Sequence, residues 1–255
     1  MFLDTIVAHV DERVRRLTPV SEYLWEAARA MPPVRSLKGA LSQPGLGIIA
    51  ECKQRSPSKG WLTDRYDPVA QALGYESGGA RAVSVLTEPN FFAGDLAHLQ
   101  AVRHRLSRPI LRKDFVRHPV QLLEARAHGA DAALLIVRIV DDAQLRGLMA
   151  TARDIGLEVL VEVHSREEAE RAVAFGPDMV GVNNRDLDTF ETRLEFSEDM
   201  AGFVPSSIIR VSESGLETVG DLERVQSWGY SAALVGEALM RGSNLLWEWV
   251  HVHHR

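Results

Sequence analysis

From about residue 48 onward the chain repeats one pattern: a short β-branched or apolar run, then a longer stretch with apolar residues at helical spacing. The runs are LGIIAECK, RAVSVLT, PILRKDF, DAALLIV, LEVLVEV, DMVGVNN, IIRVSES and SAALVGE. Between them lie segments such as Pro68 to Gly78, Pro119 to Gly129, Asp141 to Gly156, Ser165 to Gly176 and Thr218 to Gly229. Several end on a glycine just before the next run, the usual stop of a helix that turns into a strand. Strands alternating with helices build right-handed βαβ units and a parallel sheet. Eight such units close into a barrel or spread into an open doubly wound sheet, and alternation alone does not choose. An open nucleotide-binding sheet calls for a G-x-G-x-x-G turn after its first strand, whereas the first run here leads into KQRSPSKG. The expected fold is therefore α/β, a (β/α)8 TIM barrel with an N-terminal helical extension.

The extension is residues 1–47, which read as helices over Leu3 to Leu17, Ser21 to Ala30 and a short one near Arg35 to Leu41, punctuated by Pro19, Pro32, Pro33 and Pro44. It is too short for a second domain. The expectation is one structural domain of 255 residues, with 1–47 packed on a catalytic barrel of 48–255 and placed where it can lie over the mouth.

A formal net charge of −6 gives no general footprint for nucleic acid or anionic membrane, so any anion must be bound locally. The single cysteine, Cys52, cannot form an internal disulfide, and MFLDTIVAHVDERVRR has neither the basic start nor the apolar run of a signal peptide. No stretch approaches the roughly 20 apolar residues of a membrane span. These features suit a cytoplasmic protein. Lysine occurs only at 38, 53, 59 and 113, so 25 of the 29 basic residues are arginine. The few lysines stand out because a lysine can yield a proton where an arginine effectively cannot.

Strand side chains alternate faces, so one parity of each run points into a closed barrel. Ile49, Glu51 and Lys53 share one face of the first run, opposite Ile48, Ala50 and Cys52. The same rule groups Leu111, Lys113 and Phe115; Leu160, Glu162 and His164; Gly181, Asn183 and Arg185; and Ile209, Val211 and Glu213. Buried charges are costly unless paired, and here Glu51, Glu162 and Glu213 balance Lys53, Lys113 and Arg185 at five strand ends. The C-terminal ends of barrel strands are where barrel enzymes do chemistry. A structural ion-pair network is the competing reading, and convergence of five strands on one mouth favours catalysis. Gly215 in SESG and Gly236 in VGEALMRGS follow the seventh and eighth runs, where backbone N–H groups and a short helix can hold phosphate.

Other residues carry less. His251, His253 and His254 lack acidic or cysteine partners and read as a solvated tail; Trp228, Trp247 and Trp249 read as core or rim; His164 is explained as a polar strand end. No zinc spacing, P-loop or nucleophile elbow appears.

The stretches IIAECKQRSPSKG, SVLTEPNFFAGDL, PILRKDFV, LVEVHSREE, VGVNNRDLDTF, VSESGL and LVGEALMR, in this order, resemble the indole-3-glycerol phosphate synthase family over nearly the whole chain. The resemblance implies conversion of 1-(2-carboxyphenylamino)-1-deoxyribulose 5-phosphate to indole-3-glycerol phosphate, carbon dioxide and water, with no metal or cofactor. It implies Lys113 as general acid, Lys53 as a cation for the substrate carboxylate, Glu162 as acid/base in dehydration, and Glu51 as its support. Asn183, Glu213 and Ser214 resemble substrate-positioning groups, and Arg185 an orienting one. Ser56, Gly215, Gly236 and the backbone of Glu237 fall at phosphate positions, Phe92, Phe115 and Leu134 wall the aromatic ring, and Leu187 joins the substrate-binding set. The implied partner is the small-molecule substrate, without nucleic acid or membrane; a monomer is the expectation, with an oligomer left open. The sequence after Met240, GSNLLWEWVHVHHR, departs from the family's final helix pattern and leaves the packing of that helix open. The alternatives are another phosphate-binding barrel, such as phosphoribosylanthranilate isomerase, which needs a Cys and Asp pair, and a non-catalytic sugar-phosphate binder, which has no evident need of two inward lysines.

Overall fold

A computed structural model describes residues 2–253. Eight parallel strands close into a barrel: β1 (Gly47–Cys52), β4 (Ala82–Leu86), β5 (Ile110–Lys113), β6 (Ala132–Ile136), β7 (Glu158–Val163), β8 (Met179–Asn183), β9 (Ile209–Glu213) and β10 (Ala232–Val235), each paired with the next and β10 with β1. Each coincides with one of the eight apolar runs. The hairpin β2 (Arg55–Ser56) and β3 (Gly60–Trp61) lies in the loop after β1 and carries no alternating pattern that would have announced it. The helices are α1 (Phe2–Leu17), α2 (Ser21–Ala30), α3 (Leu37–Leu41), α4 (Pro68–Ser77), α5 (Leu96–Arg103), α6 (Pro119–Ala127), α7 (Asp142–Asp154), α8 (Arg166–Ala174), α9 (Glu195–Met200), α10 (Val219–Ser227), α11 (Glu237–Met240) and α12 (Leu245–His253). A 3-10 turn, Val137–Ile139, follows β6. None of these helices is long and apolar enough to cross a membrane.

Local chemistry sets the helix ends. Asp67 accepts from the N–H groups of Val69 and Ala70 ahead of Pro68, and reciprocal capping boxes start α6 (His118 and Gln121), α7 (Asp141 and Gln144) and α10 (Thr218 and Asp221). After α6, Gly129 takes φ +95°, and any Cβ there would also run into Arg103, so glycine is required twice over.

The parity rule holds through the sheet. Ile49, Leu111, Leu160 and Val211 are fully buried and fill the barrel below the mouth. On the other face, Cys52 packs toward α4, with its sulfur 4.0 Å from the Pro68 carbonyl. The extension is fastened at the opposite end of the barrel. The Asp131 carboxylate, fully buried, accepts from the Arg35 backbone N–H (2.9 Å), Arg35 Nε (3.0 Å), Arg103 (2.7 Å) and the Ile110 N–H (2.9 Å). From there α2 packs on α6, and α1 runs up so that Leu3 and Ile6 reach the mouth.

The last helix is resolved by its own aromatic anchor. Trp249 is buried, donates from Nε1 to the Leu46 carbonyl (3.1 Å), and brings Leu245 and Leu246 into the core. Trp228 is partly buried under Arg224, but Trp247 is neither core nor rim: it is 57% exposed and stacks on His251. Helix α12 has one apolar face to bury, and Trp249 takes it. Of the three terminal histidines, His251 is exposed and His253 ends α12, whereas His254 lies outside the described residues.

Because Asp131 neutralises two arginines at once, Asp131→Ala should strand buried positive charge and destabilise the fold by about 3–5 kcal/mol. Urea unfolding followed by far-UV circular dichroism checks this; a loss below about 1 kcal/mol would mean that water replaces the carboxylate freely.

Candidate active site

The C-terminal strand ends enclose a cavity of about 1120 Å³ including its open mouth. Every residue singled out from sequence as a site residue lines it: Glu51, Lys53, Ser56, Phe92, Lys113, Phe115, Leu134, Glu162, Asn183, Arg185, Leu187, Glu213, Ser214, Gly215, Gly236 and Glu237. Barrel stagger explains the convergence. Glu162 on β7 pairs with Gly181 and Gly181 with Val211, two residues before Glu213, and the tilt and shear of a closed barrel bring such offset residues of alternate strands to one layer.

Lys113 sits at the centre. Its Nζ donates to Glu162 Oε2 at 3.0 Å and lies 3.3 Å from Glu213 Oε2. Across the mouth Lys53 Nζ lies 2.6 Å from Glu51 Oε1. Burial by itself would strip the proton from Lys113, but Glu162, Glu213 and Glu51 outweigh it and hold the ammonium above the ordinary lysine value. Burial likewise opposes ionisation of Glu162, yet Lys113 and His164 hold it well below the usual carboxylate range. Glu213 goes the other way: burial, reinforced by the charge on Glu162, outweighs Lys113 and pushes it up to about 8. Two equally buried carboxylates on one ammonium are therefore pushed in opposite directions, Glu162 down and Glu213 up.

Two glycines make room for these carboxylates. A Cβ on Gly181 would overlap Glu213 Oε1, and one on Gly236 would overlap Glu51 Oε1. At the β9 end Ser214 adopts φ +69°, an unfavourable conformation for a residue with a Cβ, followed by Gly215 at φ +74°. Next to it α11 begins at Gly236 without a side-chain cap, leaving first-turn N–H groups for an anion. Arg185 closes this side, donating to Ser58 Oγ and to Glu237 Oε2, each at 2.8 Å. Phe92 and Phe115 form the apolar wall with ring centroids 6.1 Å apart, near Leu134.

A cluster of lysines and an arginine, each paired with a carboxylate, with anion-ready backbone on one side and an aromatic slot on the other, fits a phosphorylated aromatic substrate. Comparison with known proteins decides the family. A model of the indole-3-glycerol phosphate synthase family matches residues 3–248. Proteins named indole-3-glycerol phosphate synthase are similar along nearly their whole length: one from Desulfotalea psychrophila is 47% identical (94% of this chain, 93% of that protein), and one from Roseiflexus castenholzii 45% (95% and 94%). A third, from Mycolicibacterium smegmatis, is 45% identical (93% and 88%). The chain belongs to the indole-3-glycerol phosphate synthase family.

Sequence reasoning missed part of this family member's site. Leu3 and Ile6 of α1 line the cavity, as do Ser58, Leu86, Ile136 and Phe190. Leu86 and Ile136 obey the same parity rule as the charged residues but carry no polar signal, and α1 is placed by tertiary packing that no local pattern encodes. His164 is more than a polar strand end: its Nε2 lies 3.2 Å from Glu162 Oε1.

The raised Glu213 has a consequence for stability. Between about pH 4.3, the ordinary glutamate value, and about 8 the folded protein keeps a proton that the unfolded chain releases, so this residue makes the fold progressively less stable as pH rises. Glu213→Gln mimics the neutral carboxyl. It should raise Tm, more at about pH 8.5 than at about pH 5. A Tm shift of the opposite sign at the higher pH would place the charge on Glu213 in the resting protein.

Proposed function

We propose that this chain catalyses the indole-3-glycerol phosphate synthase reaction, with Lys113 as general acid and without metal or cofactor. The observation that carries the reading is the pair of lysines, Lys53 and Lys113, on separate strand ends and each against a carboxylate in one cavity. A passive sugar-phosphate binder has no evident need of both. An isomerase of the Cys and Asp type lacks its cysteine here, because Cys52 is buried against the helices and its thiol is pushed up by burial.

In this reading the phosphate lies against Ser56, Gly215, Gly236 and the start of α11, and the anthranilate ring lies between Phe92, Phe115 and Leu134. Lys53 faces the substrate carboxylate. The ring carbon that bears this carboxylate bonds to the ketone carbon while Lys113 gives its proton to the ketone oxygen, so no alkoxide accumulates in an apolar slot. Carbon dioxide then leaves, and its bonding electrons restore the aromatic ring. Loss of the new hydroxyl as water and of the neighbouring C–H proton completes the indole. Glu162, resting ionised, is suited to accept the C–H proton and pass one to the leaving hydroxyl; Glu51 supports the cation opposite. Asn183, Ser214 and Arg185 orient the sugar chain, and Leu187 covers it. An ionised carboxylate departs as carbon dioxide, so each turnover takes up one proton. A single buried thiol and an acidic surface suit work in the cytoplasm, and nothing in this scheme requires a second subunit.

Lys113→Arg preserves a cation of similar reach but removes a usable donor, because guanidinium gives up its proton only above about pH 12. Turnover should fall roughly 10²- to 10⁴-fold with a much smaller change in KM. Indoleglycerol fluorescence under substrate saturation reads this directly, with product-analogue binding and far-UV spectra as controls. A variant keeping more than about a third of wild-type kcat would move the general-acid role to another group, Lys53 first. Chelator should leave the rate unchanged, since side chains fill every charged role; activity lost in EDTA and restored by a divalent ion would overturn the metal-free scheme.

A further inference from the structure

His164 is a buried, titratable group that the scheme above does not use. Its side chain is 2% exposed and lies on β7's inward parity, two residues beyond Glu162. Nε2 stands 3.2 Å from Glu162 Oε1, and Nδ1 stands 3.6 Å from Glu168 Oε2 on α8. Each ring nitrogen thus faces a carboxylate oxygen at ion-pair distance. Glu168 is itself fixed, accepting from the His164 backbone N–H at 2.8 Å and pairing with Arg138 at 3.6 Å. Arg138 continues to Asp188 at 3.5 Å, next to Leu187 of the cavity wall. Charges thus alternate from the mouth outward: Lys113, Glu162, His164, Glu168, Arg138, Asp188.

We infer that His164 is a positioning residue for the reaction, its ring holding Glu162 from behind through Oε1 so that Oε2 stays directed at Lys113. The inference rests on the assignment of Glu162 under the proposed function. Geometry supports it from both sides. Glu162 has two oxygens, and the two cations occupy one each; remove the ring and the carboxylate is free to turn about its last bond or to take up a proton. The groups facing the ring are Glu162 from β7 and Glu168 from α8, with Lys113 of β5 and Arg138 of the 3-10 turn behind them. Burial would neutralise the imidazole, but the two carboxylates outweigh it and raise it to about 9. The ring is therefore charged across the neutral range and loses its hold on Glu162 only in alkali. General-base catalysis by His164 in the resting state is disfavoured for the same reason.

The test has two readouts. The imidazole of His164, followed by NMR in the intact protein, should titrate well above its ordinary value, and lower in Glu168→Gln and in Glu162→Gln. In turnover, His164→Gln keeps a polar group that cannot ionise; kcat at neutral pH should drop about ten- to a hundredfold while KM stays within about threefold, as expected for a misdirected catalytic group. The part of the wild-type alkaline fall that tracks the imidazole titration, above the one set by Glu213, should be absent from that variant. In Glu168→Gln, whose altered residue lies outside the cavity, the same fall should move to lower pH. A merely structural role would lower Tm without moving that limb. An imidazole that titrates at or below the ordinary histidine value, or a His164→Gln profile parallel to wild type within about twofold, overturns the inference. If His164→Gln does not fold, an unmoved limb in Glu168→Gln overturns it equally. A wild-type protein without turnover would overturn the proposed reaction, and the NMR titration would still decide whether the ring is charged against Glu162.

Discussion

The Lys113 ammonium, held between Glu162 and Glu213, is the interaction on which the mouth of this barrel depends. A buried ion among apolar strands is costly unless it is paired, and a pair is stable only if both members are placed without strain. The barrel meets that condition by its stagger: the tilted strands β5, β7 and β9, offset in register, bring the three groups together, and Gly181, on the strand between those of the two carboxylates, leaves the space Glu213 occupies. Lys53 and Glu51 repeat the arrangement next to Gly236. Small residues in these strands are thus as much part of the site as the charged ones.

Strand β5 serves two structures at once because its residues alternate. Inward, Lys113 enters the cavity. Outward, Arg112 donates to Asp114 and Glu124, and Asp114 also accepts from Thr87 at 2.6 Å and from Arg13 at 2.8 Å. Burial opposes the charge on Asp114, but Arg112 and Arg13 outweigh it and bring it down to about 2. Arg13 belongs to α1, the helix whose Leu3 and Ile6 line the mouth. One ionic network behind the strand therefore joins the cover of the cavity to the strand that carries its central lysine.

What could be read from sequence follows from this geometry. Barrel strands are buried on both faces and appear as apolar runs, so a Lys or Glu within such a run is conspicuous, and alternation assigns its face; that is why Glu51, Lys113, Glu162 and Glu213 were legible. The eight strands and the helix starts at Pro68, Pro119 and Thr218 were legible for equally local reasons. That the extension could lie over the mouth was legible, but that Leu3 and Ile6 of α1 reach the cavity was not, since it depends on Asp131, Arg35 and Arg13, three residues far apart in the chain. Trp247 was misjudged because composition says that a tryptophan prefers burial, and only the phase of α12 reveals that Trp249 takes the buried face.

Protonation was the least legible property, and the reason is physical. Glu162 and Glu213 are the same residue type, similarly buried, on the same ammonium. Sequence spacing treats them alike. What separates them is a second cation: His164 lies against Glu162, whereas both oxygens of Glu213 lack an aligned hydrogen-bond donor. With one positive charge shared between two carboxylates, the better-supported one is drawn toward ionisation and its charge then raises the other, so a small asymmetry in surroundings pushes the two in opposite directions. Two chemically identical groups on one ammonium are thereby driven toward opposite protonation.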